Sequence, residues 1–128
     1  MEEKDKRIVL AIDDDTIQLA VFKGILGPKF NLQTVTSASE AMHYIHNYTA
    51  DAILLDIKMP NISGFDFLND IHKIPNYVNV PIIIISGSEG KEFLDKARAS
   101  SAFAVMSKPV VPEDLIETIE KAISGKDL

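Results

Sequence analysis

The residues able to do chemistry fall in four places along the chain. Asp56 closes the apolar run Ala52-Ile53-Leu54-Leu55 and opens the string Asp-Ile-Lys-Met-Pro-Asn-Ile-Ser-Gly over 56–64. Asp13, Asp14 and Asp15 follow Ile8-Val9-Leu10-Ala11-Ile12, Ser86 follows Ile82-Ile83-Ile84-Ile85, and Lys108-Pro109 follows the apolar stretch 102–106. If Asp13, Asp14 and Asp56 converge, pairs of their charges about 4 Å apart repel by roughly 1–4 kcal/mol, depending on the effective dielectric. A cation must offset that. Carboxylates and a backbone carbonyl form the all-oxygen set that suits Mg²⁺ or Mn²⁺, whereas the chain has no cysteine and no histidine spacing that zinc prefers. Beside such an ion and the Lys108 ammonium, an ionised Asp56 could attack a phosphoryl group and become an aspartyl phosphate. The Ser86 hydroxyl could then hydrogen-bond a phosphoryl oxygen that arrives only with the transfer.

Singly, these residues have plainer explanations. Asp15 before Thr16 reads as a helix N-cap, Ser86-Gly87 as an ordinary loop pair, and a lysine before proline as a solvated side chain. Four such landmarks, each at its own strand end, argue for one site. His43 and His46 read as an exposed helix face, and His72 has no matching partner. Phe22, Phe65, Phe67 and Phe93 stand at helical spacings and read as core.

The elements that must deliver these groups are visible in the hydrophobic pattern. The runs at 8–12, 52–55 and 82–85 are short, continuous and rich in Ile and Val, as strands covered on both faces of a parallel sheet should be. Residues 30–35 alternate apolar and polar, which predicts a half-buried edge strand. Between the strands the period becomes helical. Thr16–Leu26 predicts a helix burying Ile17, Ala20, Val21 and Ile25, stopped near Gly27-Pro28. Ser37 and Glu40 have capping-box spacing ahead of a helix that turns Ala41, Met42 and Ile45 inward. Further helices are expected over 65–71, 91–99 and 112–124, the last with Leu115, Ile116, Ile119, Ala122 and Ile123 at its core face. Strand and helix alternate five times, so the fold class is α/β, a doubly wound domain with right-handed crossovers. Its ligand site belongs outside the carboxyl ends of the strands.

The 128 residues fit one domain, expected over 1–128 with its core at 7–124 and a short tail at 125–128. Nineteen acidic against 13 basic residues, a net charge of −6, disfavour a nucleic-acid or anionic-membrane surface. No apolar stretch reaches the ~18 residues of a membrane span, and the charged start is unlike a signal peptide. A cytoplasmic location is the expectation.

These residues resemble the receiver domain of two-component response regulators, including the chemotaxis regulator. The resemblance runs from Arg7 to about Ser124 and is most specific at Asp56, Met59, Pro60 and Gly64, with fitting spacings to Ser86 and Lys108. It implies a flavodoxin-like (βα)5 three-layer sandwich with a five-stranded parallel sheet of order 2-1-3-4-5. It implies Asp56 as phosphoacceptor, Asp14 and, through water, Asp13 as Mg²⁺ ligands, Lys58 as a ligand through its backbone carbonyl, and Ser86 and Lys108 as groups that contact the phosphate. The Lys108-Pro109 bond is expected to be cis. The donor is expected to be a sensor histidine kinase or phosphotransfer protein, and the output a protein partner, an effector domain beyond Leu128, or a homodimer through the fourth helix, fifth strand and fifth helix. Lys58 and Ser88, each two residues past a site residue, occupy positions that tune phosphoryl lifetime in that family. The chain departs from it at Val105, where an inward-swinging Tyr or Phe is usual, at Ser101, where Gly is usual, and at Val110. Those departures motivate a second reading, a receiver-like protein-binding module indifferent to phosphate. A remote third, from Asp13-x-Asp15, is a haloacid-dehalogenase-type phosphatase using Asp13 as nucleophile.

Overall fold

The computed structural model describes residues 6–60, 62–87 and 90–126. Strands β1 (Ile8–Ile12), β2 (Asn31–Val35), β3 (Ala52–Asp56), β4 (Ile82–Ser86) and β5 (Ala104–Ser107) alternate with helices α1 (Thr16–Leu26), α2 (Ala38–Asn47), α3 (Gly64–His72), α4 (Lys91–Ala99) and α5 (Pro112–Lys126). The strands form one sheet of order β2-β1-β3-β4-β5, every pair parallel. This is the flavodoxin-like arrangement that the resemblance to receiver domains implies.

The unbroken apolar runs exist because successive side chains of a strand point to opposite faces. Leu10, Ile12, Ile53, Leu55, Ile82 and Ile84 face one way and pack with Ala41, Ile45, Phe67, Leu68 and Ile71 of α2 and α3. Val9, Ala11, Leu54, Ile83 and Ile85 face the other way and pack with Leu19, Phe22 and Leu26 of α1 and Leu115 and Ile119 of α5. The outcome is three layers with a core on each side of the sheet.

Local signals fix the helix starts. Asp15 caps α1, its carboxylate accepting from the N–H groups of Ile17 and Gln18. Ser37 accepts from the N–H of Glu40, while the Glu40 carboxylate reaches back to Thr36, accepting from its N–H and its hydroxyl at 2.7 Å each. That pair of bonds holds the Glu40 carboxyl below its ordinary range. At α3, a Cβ on Gly64 would be driven into the backbone of Ile57, 2.7 Å from its Cα. Gly64→Ala therefore forces the start of α3 away from the loop after Asp56, and the expected cost is about 1–3 kcal/mol, as for other overpacked sites. Urea unfolding checks it; an unchanged midpoint would show that the close approach carries no constraint.

Three expectations are corrected. The face of α1 that is buried is Leu19, Phe22 and Leu26, whereas Ile17 is 75% and Val21 46% exposed and Ala20 is exposed as well. Apolar residues occur on two sides of this helix, and the side with the larger side chains takes the core; of the predicted stripe only Ile25 packs against it. Helix α5 continues two residues past Ser124, through Gly125 and Lys126, so the tail does not begin at 125. Strand β5 begins at Ala104, leaving Phe103 outside it and 48% exposed.

Candidate functional site

Parallel register delivers the site. Ile12 pairs with Leu55, so Asp13 and Asp56, the next residue of each chain, arrive at the same level. Asp56 in turn stands opposite Ile85, which puts Ser86 one residue further on β4, and Ser86 pairs with Ser107 of β5. The Lys108 N–H then donates to the Ser86 carbonyl at 3.0 Å. All four landmarks therefore meet at the carboxyl edge of the sheet.

The carboxylates of Asp13, Asp14 and Asp56 each offer an oxygen within 4.8 Å of the others. Asp13 and Asp56 are buried, at 1% and 7% exposure, while Asp14 is exposed and opens the cluster to solvent. Asp13 accepts from the N–H of Asp15 at 2.9 Å, and Asp56 from the N–H of Lys58 at 3.1 Å. The Lys108 ammonium lies 3.1 Å from Asp13 and 3.6 Å from Asp56, ion-paired to both. Among the described residues, one ammonium is thus paired to two of three clustered carboxylates.

That imbalance governs the protonation of the pair. Burial pushes the Asp13 carboxyl above its ordinary range; the bonds from Asp15 and Lys108 pull it back without cancelling the rise, and the Asp56 charge adds to it. For Lys108 burial acts against the ammonium, yet the bond to Asp13 and the charges of Asp56 and Asp13 outweigh it, so its pKa is raised too. Three acidic oxygens with no histidine or sulfur among them suit a hard divalent ion such as Mg²⁺, and the net negative charge favours any added cation.

Lys58 has an exposed side chain; Met59 is buried beside it and Pro60 is exposed. Ser86 is 1% exposed at the end of β4. The Lys108-Pro109 peptide bond is cis. Val105 is half-buried, pairs with Ile84 and packs on the core beneath α2, α3 and α4, beside a cavity of about 380 Å³ that Leu94, Ala97 and Ala102 also line. Ser88 lies outside the described residues. Asp15, the second carboxylate of the phosphatase-like reading, is turned onto the N-terminus of α1 and takes no part in the cluster.

Sequence reasoning missed two groupings. His72, which looked partnerless, holds Ser101 through Nδ1 at 2.6 Å and the Val80 carbonyl through Nε2 at 3.0 Å, joining α3 to the start of β4 and the turn before β5. Phe65 and Phe93, read as core, are half-buried and form a ring pair between α3 and α4, with centroids 5.8 Å apart and the Lys96 ammonium 5.0 Å from the Phe65 ring. Only spacing within each helix is legible in a sequence, and both groupings join different elements.

A doubly wound sheet with an acidic cluster and a paired lysine at its carboxyl edge defines a class of signalling domain. The chain belongs to the response regulator receiver domain family, whose sequence model matches residues 9–120. Such a domain is a signalling module, not a classical enzyme. Among similar proteins is the cell cycle transcriptional regulator CtrA of Caulobacter vibrioides, 31% identical over 116 residues, which cover 90% of this chain and 49% of that one. The crystal structure of a response regulator receiver domain protein from Methanospirillum hungatei is 28% identical with a TM-score of 0.87, covering 96% of this chain and 98% of its own. The receiver domain of a sensor histidine kinase from Pseudomonas aeruginosa, 19% identical with a TM-score of 0.84 over 93% of this chain and 98% of its own, has a magnesium ion coordinated in its active-site cleft. The chain spans between a quarter and about half of the length of several curated relatives that it matches. Among the described residues no helix is long and apolar enough to cross a membrane.

Proposed function

We propose that this receiver takes a phosphoryl group onto Asp56 from a phosphohistidine of a sensor kinase or phosphotransfer protein, in a Mg²⁺-dependent reaction in the cytoplasm, and that the modified domain changes its protein contacts. The observation that carries this reading is the buried Asp56 carboxylate within 4.8 Å of Asp13 and Asp14 and paired to Lys108. Asp13, Asp14, Asp56 and the Lys58 carbonyl would hold the ion, which supplies charge neutralisation for an incoming phosphoryl group. Asp56 is the nucleophile: its Oδ forms the new P–O bond as the P–N bond to the donor imidazole breaks, and the imidazole keeps the electron pair. Lys108 stabilises charge on the transferred oxygens, and the Ser86 hydroxyl donates to one of them. Pro60, Gly64 and Pro109 shape the turns around the site. The same groups act in hydrolysis of the acyl phosphate, and Lys58 and Ser88 set its lifetime. The test is the intact mass of the protein after acetyl phosphate and Mg²⁺. One added phosphoryl group, located at Asp56 by borohydride reduction and peptide mapping, is expected; an unchanged mass overturns the reading.

The exposed face of α1 fits the donor. A phosphohistidine must come within bonding distance of Asp56, so its carrier has to cover the surface at the mouth of the site. Ile17 is exposed in the first turn of α1, three residues beyond Asp14, with Val21 one turn further along the helix. Ile17→Asp is expected to slow transfer from a phosphohistidine protein at least tenfold while leaving transfer from acetyl phosphate within twofold, because the small donor needs no apolar contact. Equal slowing with both donors would place the defect in the site and not at the surface.

A further inference from the structure

We propose that the Phe65–Phe93 ring pair reports the state of Asp56, by setting where α4 lies over the cavity beside Val105; this rests on the reading of Asp56 as phosphoacceptor. The chain's connectivity makes the pair the meeting point of both segments that touch the transferred group. Phe65 stands nine residues past Asp56, in the first turn of α3, and Phe93 stands seven past Ser86, in the first turn of α4. A phosphoryl group on Asp56 adds about 1.5–2 negative charges and three acceptor oxygens, so it acts on the Lys58 end of one segment and the Ser86 end of the other.

Helix α4 is the element free to answer. It has no side-chain cap at Gly90, and Ala97 is its single buried residue. On its β5 side lies the cavity of about 380 Å³, partly open to solvent and lined by Leu94, Ala97, Arg98, Phe103, Val105 and Ser107. On its α3 side the ring pair, 5.8 Å between centroids, and Lys96 over Phe65 hold it in place. Such aromatic and cation–π contacts have preferred geometries and so favour discrete arrangements. The helix therefore has an anchor on one side and room to move on the other. Shifting the two ring-bearing turns relative to each other repositions α4 and its exposed surface. Val105 does not need to swing for this.

The test uses protein labelled throughout with fluorophenylalanine, the Phe22, Phe65 and Phe93 resonances among its six assigned with Phe22→Leu, Phe65→Leu and Phe93→Leu. With Mg²⁺ and beryllium fluoride, a phosphoryl mimic, the Phe65 and Phe93 resonances are expected to move while Phe22, in the core on the opposite face of the sheet, stays. Because coupling is reciprocal, Phe93→Leu is expected to change the affinity for beryllium fluoride at least fivefold while still gaining the phosphoryl mass from acetyl phosphate. A wild-type protein that gains that mass with Phe65 and Phe93 as still as Phe22, or an unchanged affinity in Phe93→Leu, overturns the proposal alone. A wild-type protein that gains no mass overturns the phosphoacceptor reading and this proposal with it.

Discussion

Asp56→Asn gains no phosphoryl group from acetyl phosphate and Mg²⁺, and in Mg²⁺-free, low-salt buffer it unfolds at a higher urea concentration than the wild type. The first effect follows from replacing the attacking carboxylate by an amide. The second follows from electrostatics. With the three carboxylates offering oxygens within 4.8 Å of one another, each like-charge pair is unfavourable by about 1–3 kcal/mol between the dielectric of water and that of a protein surface. The substitution removes two such repulsions and one attraction to Lys108, and it keeps an amide oxygen to accept from Lys58. A net gain of about 1–2 kcal/mol remains on the same scale. Added Mg²⁺ reverses the comparison: an ion at a hundred times its Kd stabilises the wild type by about 2.7 kcal/mol, and the variant, with one carboxylate fewer, gains less. Equilibrium unfolding with and without Mg²⁺ measures both. A variant less stable than wild type without the ion would mean that the cluster is not short of positive charge.

Lys108→Ala has the opposite sign. Removing one partner of a buried ion pair leaves an uncompensated charge, here Asp13 and Asp56 together, and the expected loss is about 3 kcal/mol. Mg²⁺ recovers part of it by taking the ammonium's place as counter-charge, and the variant still accepts phosphate slowly yet fails to change its partner contacts. The pH dependence carries a signature. A lysine whose folded pKa is raised contributes stability below its unfolded value, near 10.4, and that stability is lost as pH rises through the higher folded value. Tyr44 and Tyr77, whose phenols burial pushes up, lose stability in the same alkaline range. Lys108→Ala therefore flattens the alkaline arm of the stability curve without abolishing it. An alkaline arm identical to that of wild type would remove Lys108 from the account.

The fold was legible because its strands are covered on both faces. A run such as Ile82–Ile85 has few destinations other than the middle of a parallel sheet, and the polar residue ending each run marks the edge where the site lies. Helix α1 shows where legibility stops. Its period is helical whichever stripe is chosen, and Ile17-Ala20-Val21 is as good a stripe as Leu19-Phe22-Leu26 until the volume of the core decides between them. The carboxylate cluster could be anticipated from register alone. A place for Lys108 beside Asp56 could be anticipated as well, but its closer pairing to Asp13 could not, because register fixes where the backbone of Lys108 stands and not which carboxylate its flexible four-carbon side chain reaches. Phe65, Phe93 and Lys96 lie on two helices whose angle no one-dimensional pattern encodes.

The sheet divides the described apolar interior into two groups of side chains, one on each of its faces. Helix α1, with the exposed Ile17, rests on one group, and α3 and α4, with their ring pair, rest on the other. If the donor seats on α1 and the output is carried by α4, as proposed, the two do not compete for surface. Writing and reading can thus overlap in time, with the donor still docked while the modified face is already recognised.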